Sequence, residues 1–195
     1  MPVTSPVDRL TQRLRLLIWV GAAAVLAAPA VAMHFTAEVH WTAFDFLVAA
    51  LLLAIGGTLA DVVLRVGSDW RYRLGGLCAV GGLFLLVWVD LAVGLIGTAA
   101  DPANRLFALV IATAIGGAAW SRLRANGLAV TLVVMAIEQL AIAALATALR
   151  LGTDNPVWPR DVLGTGALFA AIWLTAAALL ASARRRPAGA PAKLP

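Results

Sequence analysis

The chain has 195 residues, of which 62% are hydrophobic and 13% charged. Soluble domains carry about 25% charged residues and roughly 45–50% apolar ones, so this composition excludes a water-soluble globular domain and indicates a multi-pass membrane protein. The formal net charge is +5, from 15 Lys and Arg residues against 10 Asp and Glu residues. No basic residue lies in the middle of an apolar stretch. The basic charge therefore indicates orientation in a bilayer rather than binding to nucleic acid, which we do not expect as a partner.

Six apolar stretches approach the length of about 20 residues that a helix needs to cross the hydrocarbon core of a bilayer. They cover residues 16–35, 44–66, 74–97, 105–120, 128–149 and 162–183. Since the bilayer core contains no water, each span must satisfy its backbone groups internally, which a helix does. The sequence therefore predicts an all-α bundle of six transmembrane helices over residues 16–183, in contact with the lipid bilayer.

The two tails outside this domain are predicted to be cytoplasmic. Residues 1–15 begin with a helix-entry pattern, with Ser5 as N-cap and Pro6 in the first turn, and predict a partly amphipathic surface helix. Residues 184–195 start with an Arg triplet, continue with Pro and Gly, and predict a disordered basic tail. Ala30 and Ala32 also fit a signal-peptidase site, which leaves open whether the first span is removed. The length of that apolar run favours an intact span.

The distribution of basic residues predicts that both termini are cytoplasmic. Basic residues collect in the cytoplasmic loops of membrane proteins. With the N-terminus inside, twelve basic residues face the cytoplasm and three lie outside, namely Arg105, Arg150 and Arg160.

A short motif recurs along the chain. The sequence AIGG occupies residues 54–57 and again residues 114–117, an offset of 60 residues (114 − 54). One interpretation is a duplicated helical hairpin, in which spans one and two correspond to spans three and four. The other is chance, because Ala and Gly are abundant in this chain.

Two segments are familiar as wholes: FTAEVHWTAFDF at residues 35–46, and LLVWVDLAVGLIG at residues 85–97 followed by DPAN at 101–104. They resemble small multi-pass bacterial inner-membrane proteins of uncharacterised function. The resemblance implies a bacterial inner-membrane location and supplies no activity. It also implies Asn at the position of Asp90, so it assigns no role to an acid there.

Three acidic residues fall within the predicted spans, where an Asp at the centre costs about 2.5–3.5 kcal/mol. Asp61 lies one helical turn before Arg65, and this spacing predicts an ion pair within one helix. Asp90 and Glu138 have no cation at their depth and are predicted to face the interior of the bundle. They are candidates either for a proton, cation or ligand site, or for neutral carboxyl groups that bond neighbouring helices to each other.

The outer edge carries a second candidate cluster, formed by His34, Glu38, His40 and Asp45. Imidazole and carboxylate groups suit Zn or Cu, and His34 and Glu38 would be one turn apart if the first helix continued beyond residue 35. The spacing matches no strong metal motif, and interfacial His is also common as an amphipathic group. Trp88 and Trp173, inside spans, are predicted to pack in the core.

We expect a structural or accessory membrane protein, in a homo-oligomer or a larger complex, without a cofactor and without catalytic residues. No Walker A, GxGxxG, HExxH or GxSxG signature occurs in the sequence, and these motifs carry the chemistry of common soluble enzymes. Two alternatives stay open: a small transporter or proton- or cation-coupled carrier that uses Asp90 and Glu138, and a metal-binding protein with a site at the outer edge.

Overall fold

The computed structural model describes residues 6–67 and 69–183, and the side chains from residue 12 onwards. Over these ranges the chain forms helices and no strand. The helices are α1 (Pro6–Phe35), α2 (Ala43–Val66), α3 (Trp70–Ala92), α4 (Phe107–Ser121), α5 (Ala125–Ala148) and α6 (Arg160–Ala181), and a 3-10 helix (Pro102–Leu106) leads into α4. Six segments are long and apolar enough to cross a membrane. The prediction of an all-α protein with six spans is confirmed.

One predicted boundary is wrong. The third span does not extend to residue 97, because α3 ends at Ala92. The predicted surface helix and the first span belong to one helix, because α1 runs without interruption from Pro6 to Phe35, and residues 7–15 contain neither Gly nor Pro. The predicted Ser5 N-cap and the predicted disordered tail at 184–195 lie outside the described residues.

The chain divides into two compact units, residues 1–66 and 67–195. The first, which we call the hairpin unit, contains α1 and α2. A Cβ atom placed on Gly57 of α2 would lie 3.4 Å from the indole of Trp19 on α1, so the missing side chain lets the ring lie against the α2 backbone. The second, which we call the four-helix unit, contains α3 to α6.

Within the four-helix unit, α6 packs against both α3 and α5, and α5 also packs against α4. The order across the unit is therefore α3, α6, α5, α4. Small residues allow this close packing, since a Cβ on Gly82 of α3 would come within 2.7 Å of the Trp173 ring on α6, and one on Gly166 of α6 within 2.6 Å of Ala143. Trp173 itself is fully buried, as its predicted core position requires.

Close contacts connect the segments at each end of the four-helix unit. At the end where α3 begins, the Tyr72 hydroxyl donates to the carbonyl of Leu123 in the α4–α5 turn (2.7 Å), and the Arg71 guanidinium donates to the carbonyl of Ser182 after α6 (3.0 Å). At the opposite end, a Cβ on Gly97 of the α3–α4 connection would come within 3.1 Å of Gly152 in the α5–α6 connection. The four helices are thus alternately directed.

Asn104 organises the connection between α3 and α4. Its side-chain oxygen accepts from the backbone N–H groups of Leu95 (3.1 Å) and Ile96 (2.8 Å), and its amide nitrogen donates to the carbonyls of Ile96 (3.3 Å) and Thr98 (2.8 Å). The helix stops here because Gly94 adopts a positive φ angle of 82°, a conformation that favours glycine, and Gly97 adopts one of 66° within the connection. Leu95 and Ile96 are buried although they are not helical, which explains why hydropathy extended the span to residue 97.

The structure argues against the duplicated hairpin. In the hairpin unit α1 packs on α2, whereas α3 packs chiefly on α6 and α4 on α5. The equivalent glycines also differ, because Gly57 meets Trp19 of the preceding helix while Gly117 meets Thr131 of the following one. Each copy of the repeated motif therefore lies at a close helix contact, but the two copies contact helices in different positions along the chain.

Gly82 and its neighbour Gly81 provide a matched test of the α3–α6 packing. A Cβ on Gly82 would press on Trp173, whereas one on Gly81 would meet nothing within 4 Å. We expect Gly82→Ala to lower the free energy of unfolding by about 1–3 kcal/mol and Gly81→Ala to change it by less than about 0.5 kcal/mol. Thermal unfolding of both variants in the same mild detergent measures the difference, and equal stability of the two would contradict this packing.

Candidate functional site

Asp61 joins the two helices of the hairpin unit. Its carboxylate accepts from Arg65 one turn later, with an Arg65 Nη2–Asp61 Oδ2 distance of 2.6 Å, which is the pairing that the sequence spacing predicts. It also accepts from Arg15 on α1. The Asp61 side chain is 13% exposed, against 38% for Arg15 and 61% for Arg65. The largely buried carboxylate is therefore neutralised by two guanidinium groups. Through its bond to Arg15 it connects α2 to α1.

Glu138 connects α4 and α5 near the middle of the span. The Thr113 hydroxyl on α4 donates to Glu138 Oε1 at 2.7 Å. Two turns before Glu138, Thr131 lies against Gly117 of the same helix α4, so both contacts belong to one interface. The second carboxyl oxygen, Oε2, is buried without a hydrogen-bond partner. One carboxyl oxygen thus forms an interhelical hydrogen bond, and the other is buried.

Asp90 lies in the last turn of α3, close to the connection that Asn104 organises. It is half-buried, and its Oδ1 atom is enclosed without a hydrogen-bond partner. Arg105 is exposed, and no ion pair joins it to Asp90 within the described part of the chain. Asp90 is therefore partly buried and has no cationic partner among the described residues.

The structure does not bring Asp90 and Glu138 together. Asp90 lies near the end of α3, which packs on α6, whereas Glu138 lies mid-way along α5 and bonds to α4. No hydrogen bond between the two acids occurs among residues 6–67 and 69–183. The structure therefore shows no bonded connection between Asp90 and Glu138.

Gln139 is a polar residue of this region that sequence reasoning missed. It is only 1% exposed, and its Oε1 atom has no hydrogen-bond partner. It borders a gap between α5, α6 and the α3–α4 connection, whose other walls include Ile96, Phe107 and Gly166. The gap has no room for a water molecule. The sequence signal for Gln139 was its position directly after Glu138 inside an apolar run. Consecutive helix positions point to different neighbours.

The outer-edge residues do not form a metal site in the structure. α1 ends at Phe35, so Glu38 does not lie one helical turn beyond His34, and both residues are exposed, as is His40. Asp45 has a different function: its carboxylate accepts from the Thr42 backbone N–H (2.7 Å) and hydroxyl (2.8 Å), and the Asp45 N–H donates to the Thr42 hydroxyl (3.3 Å). This reciprocal arrangement is a capping box at the start of α2.

Across the described residues, no three His, Cys, Asp or Glu side chains lie close enough together to hold a metal ion. Asp101, near the same edge, accepts from the Ala103 N–H at 2.9 Å and caps the 3-10 helix. Asp45 and Asp101 therefore both bond to residues of their own segments. The metal-binding alternative receives no support from this geometry.

Comparisons of the chain with protein-family models, with curated proteins and with solved structures give no match. The similarity to small bacterial inner-membrane proteins therefore remains a prediction from two sequence segments. What the chain can do must be argued from its own residues.

The Thr113–Glu138 bond can be tested by a double-mutant cycle. Thr113→Val leaves the carboxyl of Glu138 with neither oxygen bonded, and we expect it to lower the free energy of unfolding by about 0.6–2 kcal/mol. Replacing both polar groups, as in Thr113→Val with Glu138→Met, is expected to recover much of that loss because no polar partner is left stranded. Thermal unfolding in detergent measures the cycle.

The matched control is Thr147→Val, since the Thr147 hydroxyl donates to the Ala143 carbonyl of its own helix at 2.8 Å. It should show no coupling to Glu138→Met. Strict additivity of Thr113→Val and Glu138→Met would contradict the interhelical bond.

Proposed function

We propose that this protein is a structural or accessory subunit of an assembly in the bacterial inner membrane, with both termini in the cytoplasm. The observation that carries the proposal is the setting of one intramembrane acid: Glu138 bonds to Thr113 of the neighbouring helix, and its second carboxyl oxygen is buried. A carboxyl group in that setting stabilises helix packing.

The charge distribution supports the proposed orientation. At one end of the four-helix unit, the hydrogen bonds of Tyr72 and Arg71 bring together the start of α3, the α4–α5 turn and the end of α6. These are the segments that carry most of the basic residues of the unit. By the positive-inside rule this end faces the cytoplasm. For a protein of the bacterial inner membrane, that is the bacterial cytoplasm.

Helix α1 supports participation in an assembly. The apolar window of α1 contains no buried residue, and the helix is rich in Ala. Helices with small residues on their surface can approach one another closely in lipid. Gly21 marks one such position, because a Cβ there would meet nothing within 4 Å. We infer that this surface contacts another transmembrane helix.

The carrier alternative has weaker support. It requires Asp90 and Glu138 to serve one pathway. Asp90 lies on α3, which packs on α6, whereas Glu138 bonds to α4. The unpaired Oε2 atom of Glu138 is the feature in its favour, yet that atom is enclosed rather than open to a cavity.

Native electrophoresis after solubilisation in mild detergent tests the proposal. We expect the wild-type protein to migrate as a discrete species larger than its 20.2 kDa chain, after the contribution of detergent is subtracted with a monomeric membrane standard. Gly21→Leu, on the exposed surface of α1, should shift the protein towards the monomer.

The matched control is Gly116→Leu on α4, where a Cβ also meets nothing within 4 Å. This variant should leave the large species intact. A wild-type protein that migrates as a monomer and co-purifies with no other membrane protein would overturn the proposed function.

A further inference from the structure

The basic end of the four-helix unit carries four arginines on two segments that contact each other. We propose that this surface, the arginine rim formed by Arg71, Arg73, Arg122 and Arg124, binds the phosphate group of an anionic membrane phospholipid. This inference goes beyond the proposed subunit role and does not depend on it.

One hydrogen bond organises the rim. The Tyr72 hydroxyl donates to the Leu123 carbonyl at 2.7 Å. Tyr72 stands between Arg71 and Arg73 in the sequence, and Leu123 stands between Arg122 and Arg124. The bond therefore brings two pairs of arginines around a single contact between the start of α3 and the α4–α5 turn. Tyr72 is buried, so this contact is part of the packed unit.

The α4–α5 turn holds its two arginines at the surface. Arg122 and Leu123 both adopt left-handed backbone conformations, with φ angles of 49° and 59°. The N–H of Arg124 donates to the carbonyl of Ser121 at 3.0 Å, which closes the turn. Both arginine side chains are exposed, and neither forms an ion pair with an acid among the residues that the structure describes. Two guanidinium groups are thus presented outward without a protein counter-ion.

The local charge is strongly positive. Between residues 62 and 89, and between residues 102 and 137, the sequence contains a single acid, Asp69. Asp69 caps α3, where its carboxylate accepts from the backbone N–H of Arg71. Arg71 also reaches the carbonyl of Ser182 at 3.0 Å, and the sequence that follows Ser182 adds Arg184, Arg185 and Arg186 with no Asp or Glu. Arg122 and Arg124, which are exposed, are therefore available to an anion from outside the protein.

Two tryptophans indicate that the anion is a lipid headgroup. Trp70 at the start of α3 is 63% exposed and Trp120 at the end of α4 is 74% exposed. Exposed Trp side chains at the ends of transmembrane helices lie at the level of the headgroups. The Arg71 guanidinium lies 5.5 Å from the centroid of the Trp70 ring, so the rim is at that same level. Lipid phosphates are the anions present there, and guanidinium groups bind phosphate in a bidentate manner.

The test is the thermal stability of the purified full-length protein in detergent, with added phosphatidylglycerol or with phosphatidylcholine of the same acyl chains. A ligand that binds the folded protein raises its Tm. We expect phosphatidylglycerol to raise the Tm of the wild type by several degrees, and phosphatidylcholine or inorganic phosphate alone to raise it by less than half as much. The increase should fall as the salt concentration rises, because exposed charges are screened.

Paired variants locate the site. Arg122→Gln with Arg124→Gln should lose more than half of the Tm increase produced by phosphatidylglycerol. The control, Arg105→Gln with Arg150→Gln, removes the same charge from the opposite end of the unit and should keep the full increase. An equal response to phosphatidylcholine or to inorganic phosphate, or loss of the response in the control rather than in the rim variant, would overturn the proposal. If the rim variant does not fold, the lipid comparison and salt dependence of the wild type decide.

Discussion

The bilayer core supplies no water to a polar group, and this constraint accounts for most of the structure. Backbone groups within the spans are satisfied by helices, and where α3 and α4 are connected by non-helical chain, Asn104 replaces the missing bonds with four of its own. Asn104 is itself buried. The same constraint acts on side chains, since Thr113 and Glu138 bond to each other across two helices. Asn104, Thr113 and Glu138 are thus placed where a partner is available.

Hydropathy predicted the six helices because the length of an apolar run directly reflects the thickness of the bilayer. It failed at the end of α3, where Leu95 and Ile96 are as apolar as a span but lie in a buried connection. Gly94 and Gly97, both with positive φ, were the sequence signal for that end. Hydropathy measures how apolar a segment is. It therefore does not distinguish a transmembrane helix from a buried loop.

The candidate site was predictable only in its local contacts. The Asp61–Arg65 pair follows from a spacing of four residues, because helix geometry alone brings such residues together. The partners from other helices could not be predicted in this way. Arg15, which also bonds Asp61, and Thr113, which bonds Glu138, become neighbours only once the helices are packed. The capping box of Thr42 and Asp45 is also local, and it gives the Asp45 carboxylate a use other than metal binding.

The central claim is that Glu138 lies in a sealed interface, and water accessibility at Thr113 tests it most directly. In a Cys78→Ala background, Thr113→Cys can be treated with a charged, water-soluble thiol reagent and compared with Asn126→Cys, an exposed position near the α4–α5 turn. The account predicts that the cysteine at residue 126 reacts rapidly and that the one at residue 113 does not react. Reaction at both positions at comparable rates would reveal a water-filled path to Glu138 and contradict the account.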